Sequence, residues 1–267
     1  MSYRYLFIAG LHRTGTSLLA KLLGAHPDIA TITDAPVPEN EGCYLQGAIP
    51  HDALAGRPGH YATDPAQHLV EGGRYDLLNV RERLEADWSR WFADKPWRLE
   101  KSPVNLTRMR LYQQLFPLSQ FIVITRHPEK MAAALAKWTD QTPAALIDYG
   151  LDAYALVSED AARLHHLFWL RYEDLVADPI RCLDAIFAWI GLHTIGPCAT
   201  LRDGNGDYSE ALMMNGEQAS RAIAFGYAPG GAVLECPPRI AHPLRARHEA
   251  AEAALRNERS HAFVRKA

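Results

Sequence analysis

The chain has 267 residues, with 28 Lys plus Arg against 31 Asp plus Glu, a formal net charge of −3 and a 48% hydrophobic share. That length suffices for one large α/β domain with a full core, or for two small ones. The near-neutral, ordinary composition gives no electrostatic footprint for a nucleic-acid partner or a membrane surface. Cys43, Cys182, Cys198 and Cys236 lack paired spacing and read as free thiols in a reducing compartment.

Tyr5-Leu6-Phe7-Ile8-Ala9 reads as a buried parallel strand. It is too short for a membrane span, and Arg4 with only about five apolar residues before Gly10 makes a poor signal peptide, so a cytoplasmic location is expected. Next comes the octet Gly10-Leu11-His12-Arg13-Thr14-Gly15-Thr16-Ser17, and then a helix expected over Thr16–Ala25. A strand, a Gly-bounded loop and a helix N-terminus form a phosphate cradle, because successive backbone N–H groups converge where the helix dipole favours an anion. The spacing is that of the nucleotide-binding P-loop, Gly-x-x-x-x-Gly-Lys-Ser/Thr, except that Thr16 stands at the Lys position. Arg13 supplies a cation from inside the loop instead. Such a loop keeps its grip on a phosphate-like anion and loses the group that handles the γ-phosphate of ATP. The bland alternative is a Gly-rich strand–helix turn without a ligand.

Residues 34–66 are rich in Pro, Gly and His and read as an irregular binding loop or lid. Arg98–Glu100 with its neighbours is the next strand, leading into Lys101-Ser102-Pro103, with a helix expected over Asn105–Leu115. Phe121–Thr125 is the clearest strand, β-branched and followed by Arg126-His127-Pro128. Helices are expected over Glu129–Trp138 and Ala144–Leu164. Leu167–Tyr172 is a further strand, followed by Glu173-Asp174-Leu175. Pro179–Ile190 is a helix with Pro179 in its first turn and Gly191 as its cap. A second irregular stretch spans 194–243, and a last helix is expected over Leu244–Glu258. Strands alternating with helices imply one domain over 1–267, a three-layer α/β fold whose mostly parallel sheet carries helices on both faces. Ligands gather at the carboxyl ends of such strands, where Arg13, Lys101, Arg126 and Glu173 all fall. The twelve histidines show no metal spacing, and His165-His166 reads as structural or surface.

Four segments in this order resemble the sulfotransferases that use 3′-phosphoadenosine-5′-phosphosulfate (PAPS): the Gly10–Ser17 octet, Glu100-Lys101-Ser102-Pro103, Thr125-Arg126-His127-Pro128, and Leu170-Arg171-Tyr172-Glu173-Asp174-Leu175 with its following helix. The resemblance covers about residues 3 to 192. It implies that Arg13, Thr14, Gly15, Thr16 and Ser17 hold the 5′-phosphosulfate. It implies that Arg126 holds the 3′-phosphate through paired charge-assisted bonds, and that Tyr172 lies beside the adenine. Family members carry a Ser one helical stretch after the Arg, and the matching position here is Ala134. Losing one hydrogen bond to a charged group costs about 1.5–3 kcal/mol, or roughly ten- to hundred-fold in affinity. Arg202 is the candidate substitute, in a run whose neighbour Asp203 replaces the family's usual Lys.

Sulfuryl transfer is an in-line displacement on sulfur, driven by positioning and electrostatics as phosphoryl transfer is. The resemblance implies Arg13 and Lys101 as the cations on the transferring group. Glu41 is the favoured base on an acceptor hydroxyl or amine, with Glu39 and His12 as rivals. No metal is called for, because the co-substrate activates its own leaving group. The acceptor, a small molecule or carbohydrate, would be chosen by the two irregular stretches. Trp88, Trp91, Trp97 and Trp138 would either wall its site or pack the core. The competing readings are a P-loop small-molecule kinase and an inactive sulfotransferase-like binding protein. Oligomeric state is not legible in the sequence.

Overall fold

A computed structural model describes residues 3–51, 57–196, 201–208 and 212–256. Cys198 and the last two residues of the expected final helix lie outside them. In chain order the elements are β1 (Arg4–Ala9), α1 (Thr16–Gly24), β2 (Ile29–Thr31), α2 (Leu78–Ser89), β3 (Trp97–Lys101), α3 (Met109–Leu115), β4 (Gln120–Thr125), α4 (Pro128–Leu135) and α5 (Pro143–Ala161). They continue with β5 (Leu167–Arg171), α6 (Tyr172–Ala177), α7 (Pro179–Ile190), α8 (Gly216–Ile223), β6 (Tyr227–Ala228), β7 (Ala232–Val233), β8 (Arg239–Ala241) and α9 (Arg245–Arg256).

The central strands are apolar on both faces, and that decides the layers. Tyr5, Phe7 and Ala9 of β1, with Phe121 and Val123 of β4, join a core closed by α2, α3, α4 and α5. Leu6, Ile8, Ile122 and Ile124 point the other way, into a core closed by α1, α7 and α9. The sheet order is β2-β3-β1-β4-β5-β8. All neighbours are parallel except β5 and β8. The expected three-layer α/β fold is what forms.

β1 sits between β3 and β4, so the chain leaves its carboxyl end toward one side of the sheet and returns on the other. That reversal opens a crevice at the end of β1, where the Gly10–Ser17 loop lies.

Several elements depart from the sequence reading. The stretch 194–243 is not irregular throughout, because it contributes α8, the β6–β7 hairpin and the antiparallel edge strand β8. α2 was hidden by its charges, yet it buries Val80, Leu84 and Trp88 on one face at helical spacing. α3 begins after a 3₁₀ turn over Pro103–Thr107, and α4 ends at Leu135 before another over Ala136–Trp138. Pro128, Pro143 and Pro179 each open a helix, and Gly191 caps α7 at φ 82°. Trp88 and Trp97 pack the core, whereas Trp138 is exposed. Cys43 and Cys182 are buried free thiols and Cys236 a partly buried one. Among the described residues, no helix is long and apolar enough to cross a membrane.

Candidate functional site

The cradle is shaped by residues that tolerate crowding or a left-handed backbone. A side chain on Gly10 would meet the Ile124 carbonyl at 2.6 Å, so the loop can enter this close to β4 only with glycine. Gly15, the N-cap of α1, adopts φ 101°, and Arg13 is also left-handed at φ 70°. Two such reversals, separated only by Thr14, turn N–H groups toward one point. Thr14 is spent on the loop itself, since both its N–H and its hydroxyl donate to the Leu11 carbonyl, at 3.2 and 2.7 Å. Its hydroxyl therefore braces the cradle rather than facing a ligand. Thr16 is buried, while Arg13 and Ser17 are exposed at the mouth. The Ser17 hydroxyl donates to Glu39 Oε2 at 3.1 Å.

Arg126 stands beside the cradle. The Tyr154 hydroxyl fixes its backbone, accepting from the Arg126 N–H at 3.0 Å and donating to its carbonyl at 2.7 Å. The guanidinium is buried over the rings of Tyr172, at 4.5 Å, and Tyr208, at 5.4 Å. Its Nη1 donates to the Arg13 carbonyl at 2.9 Å, and its Nε donates to Asn205 Oδ1 at 2.7 Å. Nη2 is buried and has no hydrogen-bond partner. Tyr172 in turn packs on Gly15, where a Cβ would lie 2.7 Å from its ring, and its hydroxyl accepts from the Gly204 N–H at 2.8 Å. Cradle, Tyr172 and Arg126 thus form one continuous surface, with Nη2 of Arg126 as a buried, unsatisfied cationic donor.

The sequence expectation that Arg202 backs up Arg126 is not what the structure builds. Arg202 is exposed and ion-paired with Asp207, and Asn205 of the same loop reaches Arg126 instead. Asn205 also donates to Glu173 Oε1 at 3.1 Å, which ties the loop to the start of α6. Ala134 is buried on α4 and brings no hydroxyl to the guanidinium.

On the other side of the cradle, Lys101 at the end of β3 pairs with Glu41 at 3.1 Å, both buried. Burial pushes the Glu41 carboxyl up from its ordinary range, and Lys101 works against that rise. Glu41 is placed by its neighbour Gly42, whose Cα approaches Glu100 so closely that a Cβ would sit 2.7 Å from that side chain. Glu100 itself is fully buried and accepts from Gly42 N–H, Ser102 and Asn105. His12 is half-buried near Tyr61, and its buried Nδ1 has no partner. Burial, then the charge of Lys101, pushes His12 down to about 4, so it is neutral and weakly basic. Glu39 and Asn40, at φ 51° and 53°, hold the loop in a sparsely populated backbone conformation. Beside the cradle lies a cleft of about 420 Å³, lined by Ser17, Lys21, Thr31, Glu39, Asn40 and Lys101 among others.

Away from the cradle, His26, Asp28 and His193 bring ligand atoms within 4.8 Å of one another, a grouping that sequence spacing did not show. Both ring nitrogens of His26 are engaged there, Nε2 with the His193 carbonyl and Nδ1 with the Asp28 N–H, each at 3.1 Å.

A sequence profile described as the sulfotransferase family matches residues 6–195. The chain is 28% identical over 224 residues to nodulation protein NoeE of Sinorhizobium fredii, covering 71% of this chain and 50% of that protein. It therefore spans about half the length of this relative. Among solved structures it is similar to a sulfotransferase from Alicyclobacillus acidocaldarius, with a TM-score of 0.51, 18% identity, and coverage of 84% of this chain and 92% of that one. At that identity the likeness is one of fold.

Proposed function

The chain belongs to the sulfotransferase family, and from that premise we propose that it transfers the sulfuryl group of PAPS to a hydroxyl or amine of a small-molecule or carbohydrate acceptor. The observation that carries this reading is the buried guanidinium of Arg126, which touches the cradle through the Arg13 carbonyl and keeps one N–H without a partner. A buried, unsatisfied cationic donor is costly unless an anion meets it. PAPS has two anionic ends, and the cradle and Arg126 offer two adjoining anion sites.

In this reading the first N–H groups of α1, with Arg13 and the exposed Ser17 hydroxyl turned from Glu39 to the ligand, hold the 5′-phosphosulfate, and Gly15 and the buried Thr14 give the cradle its shape. Arg126 meets the 3′-phosphate, with Tyr172 as the floor beside the base. When bound, PAPS supplies a sulfuryl group on a phosphate leaving group. Lys101 and Arg13 place positive charge where negative charge develops on the transferring oxygens. Glu41 takes the acceptor proton. Its raised carboxyl brings it nearer the working pH than an ordinary glutamate, and His12, pushed down to about 4, is the poorer base. The cleft of about 420 Å³ is lined by hydroxyl, amide, carboxylate and ammonium groups, which suits a hydroxyl-bearing acceptor.

The test is thermal stabilisation by adenosine 3′,5′-bisphosphate against ATP-Mg²⁺ in matched assays. A ligand at a hundred times its dissociation constant adds about 2.7 kcal/mol. Stabilisation by the bisphosphate alone supports the reading. Stabilisation by ATP-Mg²⁺ alone would turn the site into that of a kinase. Binding without turnover across a broad acceptor panel would turn the chain into a binding protein.

A further inference from the structure

The amino ends of the strands, at the opposite edge of the sheet from the cradle, border an open cavity of about 690 Å³, with Arg4 and Arg247 exposed along it. The length of β1 alone separates the two sites by roughly 16 Å, at about 3.3 Å per residue. The polar side chains that line this cavity are Arg4, Gln120, His166, His242 and Arg247, and no Asp or Glu is among its lining residues. The Arg4 guanidinium lies 5.6 Å over the ring of Trp97. The Arg247 guanidinium lies against the left-handed turn at Gly191, where a Cβ would come within 2.6 Å of it, and its hydrogen bond is to the Ala188 carbonyl at 3.5 Å.

Two further polar atoms belong to this cavity's lining residues and are left over. Gln120 is 5% exposed, and its Oε1 is buried without a partner, as is Nδ1 of His166. Buried polar atoms are nearly always paired, so these two unpaired atoms mark the cavity's floor as polar and short of partners. The local potential has a definite sign. Arg4 and Arg247 are the fixed charges among the lining residues, with no carboxylate to offset them. Burial, with smaller contributions from His242, His165 and Arg4, pushes His166 down to about 4, so the ring adds no charge of its own. The remaining wall is apolar, with Trp97, Ile190 and Leu192 inside and Leu118 exposed at the rim. The volume falls in the range of small-molecule sites, about 300–1,000 Å³.

We propose that this cavity binds an amphipathic organic anion, a carboxylate, sulfate or phosphate on an apolar ring-sized body. The anionic group meets Arg4 and Arg247, the ring lies on the Trp97 side, and Gln120 and His166 gain partners from the polar end. The proposal stands on this cavity alone and does not depend on the transfer reaction.

The test is calorimetric titration of the full chain with 2-naphthalenesulfonate, 2-naphthoate, the neutral 2-naphthalenesulfonamide and inorganic sulfate. The two aromatic anions are expected to bind, with the sulfonamide and bare sulfate each at least tenfold weaker. Arg4→Gln with Arg247→Gln removes two charge-assisted contacts and is expected to weaken 2-naphthalenesulfonate by ten- to hundred-fold or more. Arg13→Gln with Arg126→Gln, at the cradle, is expected to leave it unchanged. Leu118→Asp, an exposed rim position, is a second variant that sets a negative charge at the mouth and is also expected to weaken the anion. Equal affinity in the wild type and the Arg4/Arg247 variant would overturn the proposal. So would loss of binding only in the Arg13/Arg126 variant, which would place the anion at the cradle. Equal affinity for the sulfonamide would reduce the cavity to a greasy hole with no charge preference.

Discussion

Replacing Lys101 by methionine tests the Lys101–Glu41 pair in two ways at once. Lys101 and Glu41 side chains are 5% and 9% exposed and meet at 3.1 Å. The figure for surface pairs, about 0–1 kcal/mol, therefore does not apply. Removing one partner of a buried pair strands the other charge and costs about 3–5 kcal/mol. For a chain of this size that is a fall in melting temperature of roughly 6–20 °C. The Glu41 carboxyl, already raised by burial, loses the one cation that opposed the rise. A carboxyl whose folded value lies above its unfolded one stabilises the fold at low pH and loses that contribution as pH rises through the folded value. The deficit in Lys101→Met should therefore deepen from pH 5 to pH 8 and ease toward acid. In the proposed reaction the acid limb of kcat/KM should move to higher pH, and turnover should fall by about 10²–10³ through the lost positive charge. A double variant, Lys101→Met with Glu41→Leu, leaves no stranded charge and should regain most of the stability while turnover stays lost. Thermal unfolding across pH and a pH–rate profile read these effects. An unchanged melting temperature at pH 8, or an unmoved acid limb, would refute the account of the pair.

Glu41→Gln should lower kcat/KM by about 10²–10⁴ and abolish the acid limb, while His12→Phe keeps it; the opposite pattern in a pH–rate profile would make His12 the base. Gly15→Ala forces a side chain onto a φ of 101° with its Cβ 2.7 Å from the Tyr172 ring, at about 1–2 kcal/mol for the backbone alone. Displacing Tyr172 should also cut calorimetric affinity for adenosine 3′,5′-bisphosphate at least tenfold; unchanged affinity would detach Tyr172 from the anion site. Asn205→Asp places a carboxylate on Arg126 Nε, now 2.7 Å from the amide oxygen. It should hold or raise the melting temperature while weakening the bisphosphate roughly ten- to hundred-fold, and equal affinity would show that Arg126 does not meet the anion.

The fold was legible wherever a segment's own residues decide it. Phe121-Ile122-Val123-Ile124 can only be a strand covered on both faces, and β4 buries all six of its residues. The reading failed where a segment depends on what it packs against. α2 shows five charged residues from Arg81 to Asp87, and its stripe of Val80, Leu84 and Trp88 is too narrow to stand out from that background. β8 has three half-buried residues and is a strand only because the edge of β5 is there to pair with it.

The same division runs through the site. The octet is local, so strand, cradle and helix were readable together. The partners of the candidate residues are not local: Glu41 and Lys101 are 60 residues apart, and Arg126 and Asn205 are 79 apart. The family resemblance suggested Arg202 as the replacement for the hydroxyl missing at Ala134, because its run is similar to the family's late Arg-Lys-Gly loop. The structure places a neutral group at the guanidinium instead, and charge accounts for the difference. An arginine brought to Arg126 would repel it, and a carboxylate there would cancel the charge that an anion needs. An amide oxygen on Nε satisfies one donor and orients the plane of the guanidinium over Tyr172, and it leaves the full positive charge and Nη2 for a ligand. By the family resemblance, position 134 shows in sequence as a lost donor to the 3′-phosphate of the proposed co-substrate. In the proposed reading Asn205 offsets it differently, by fixing Arg126 before the ligand arrives, so that less conformational freedom is lost on binding.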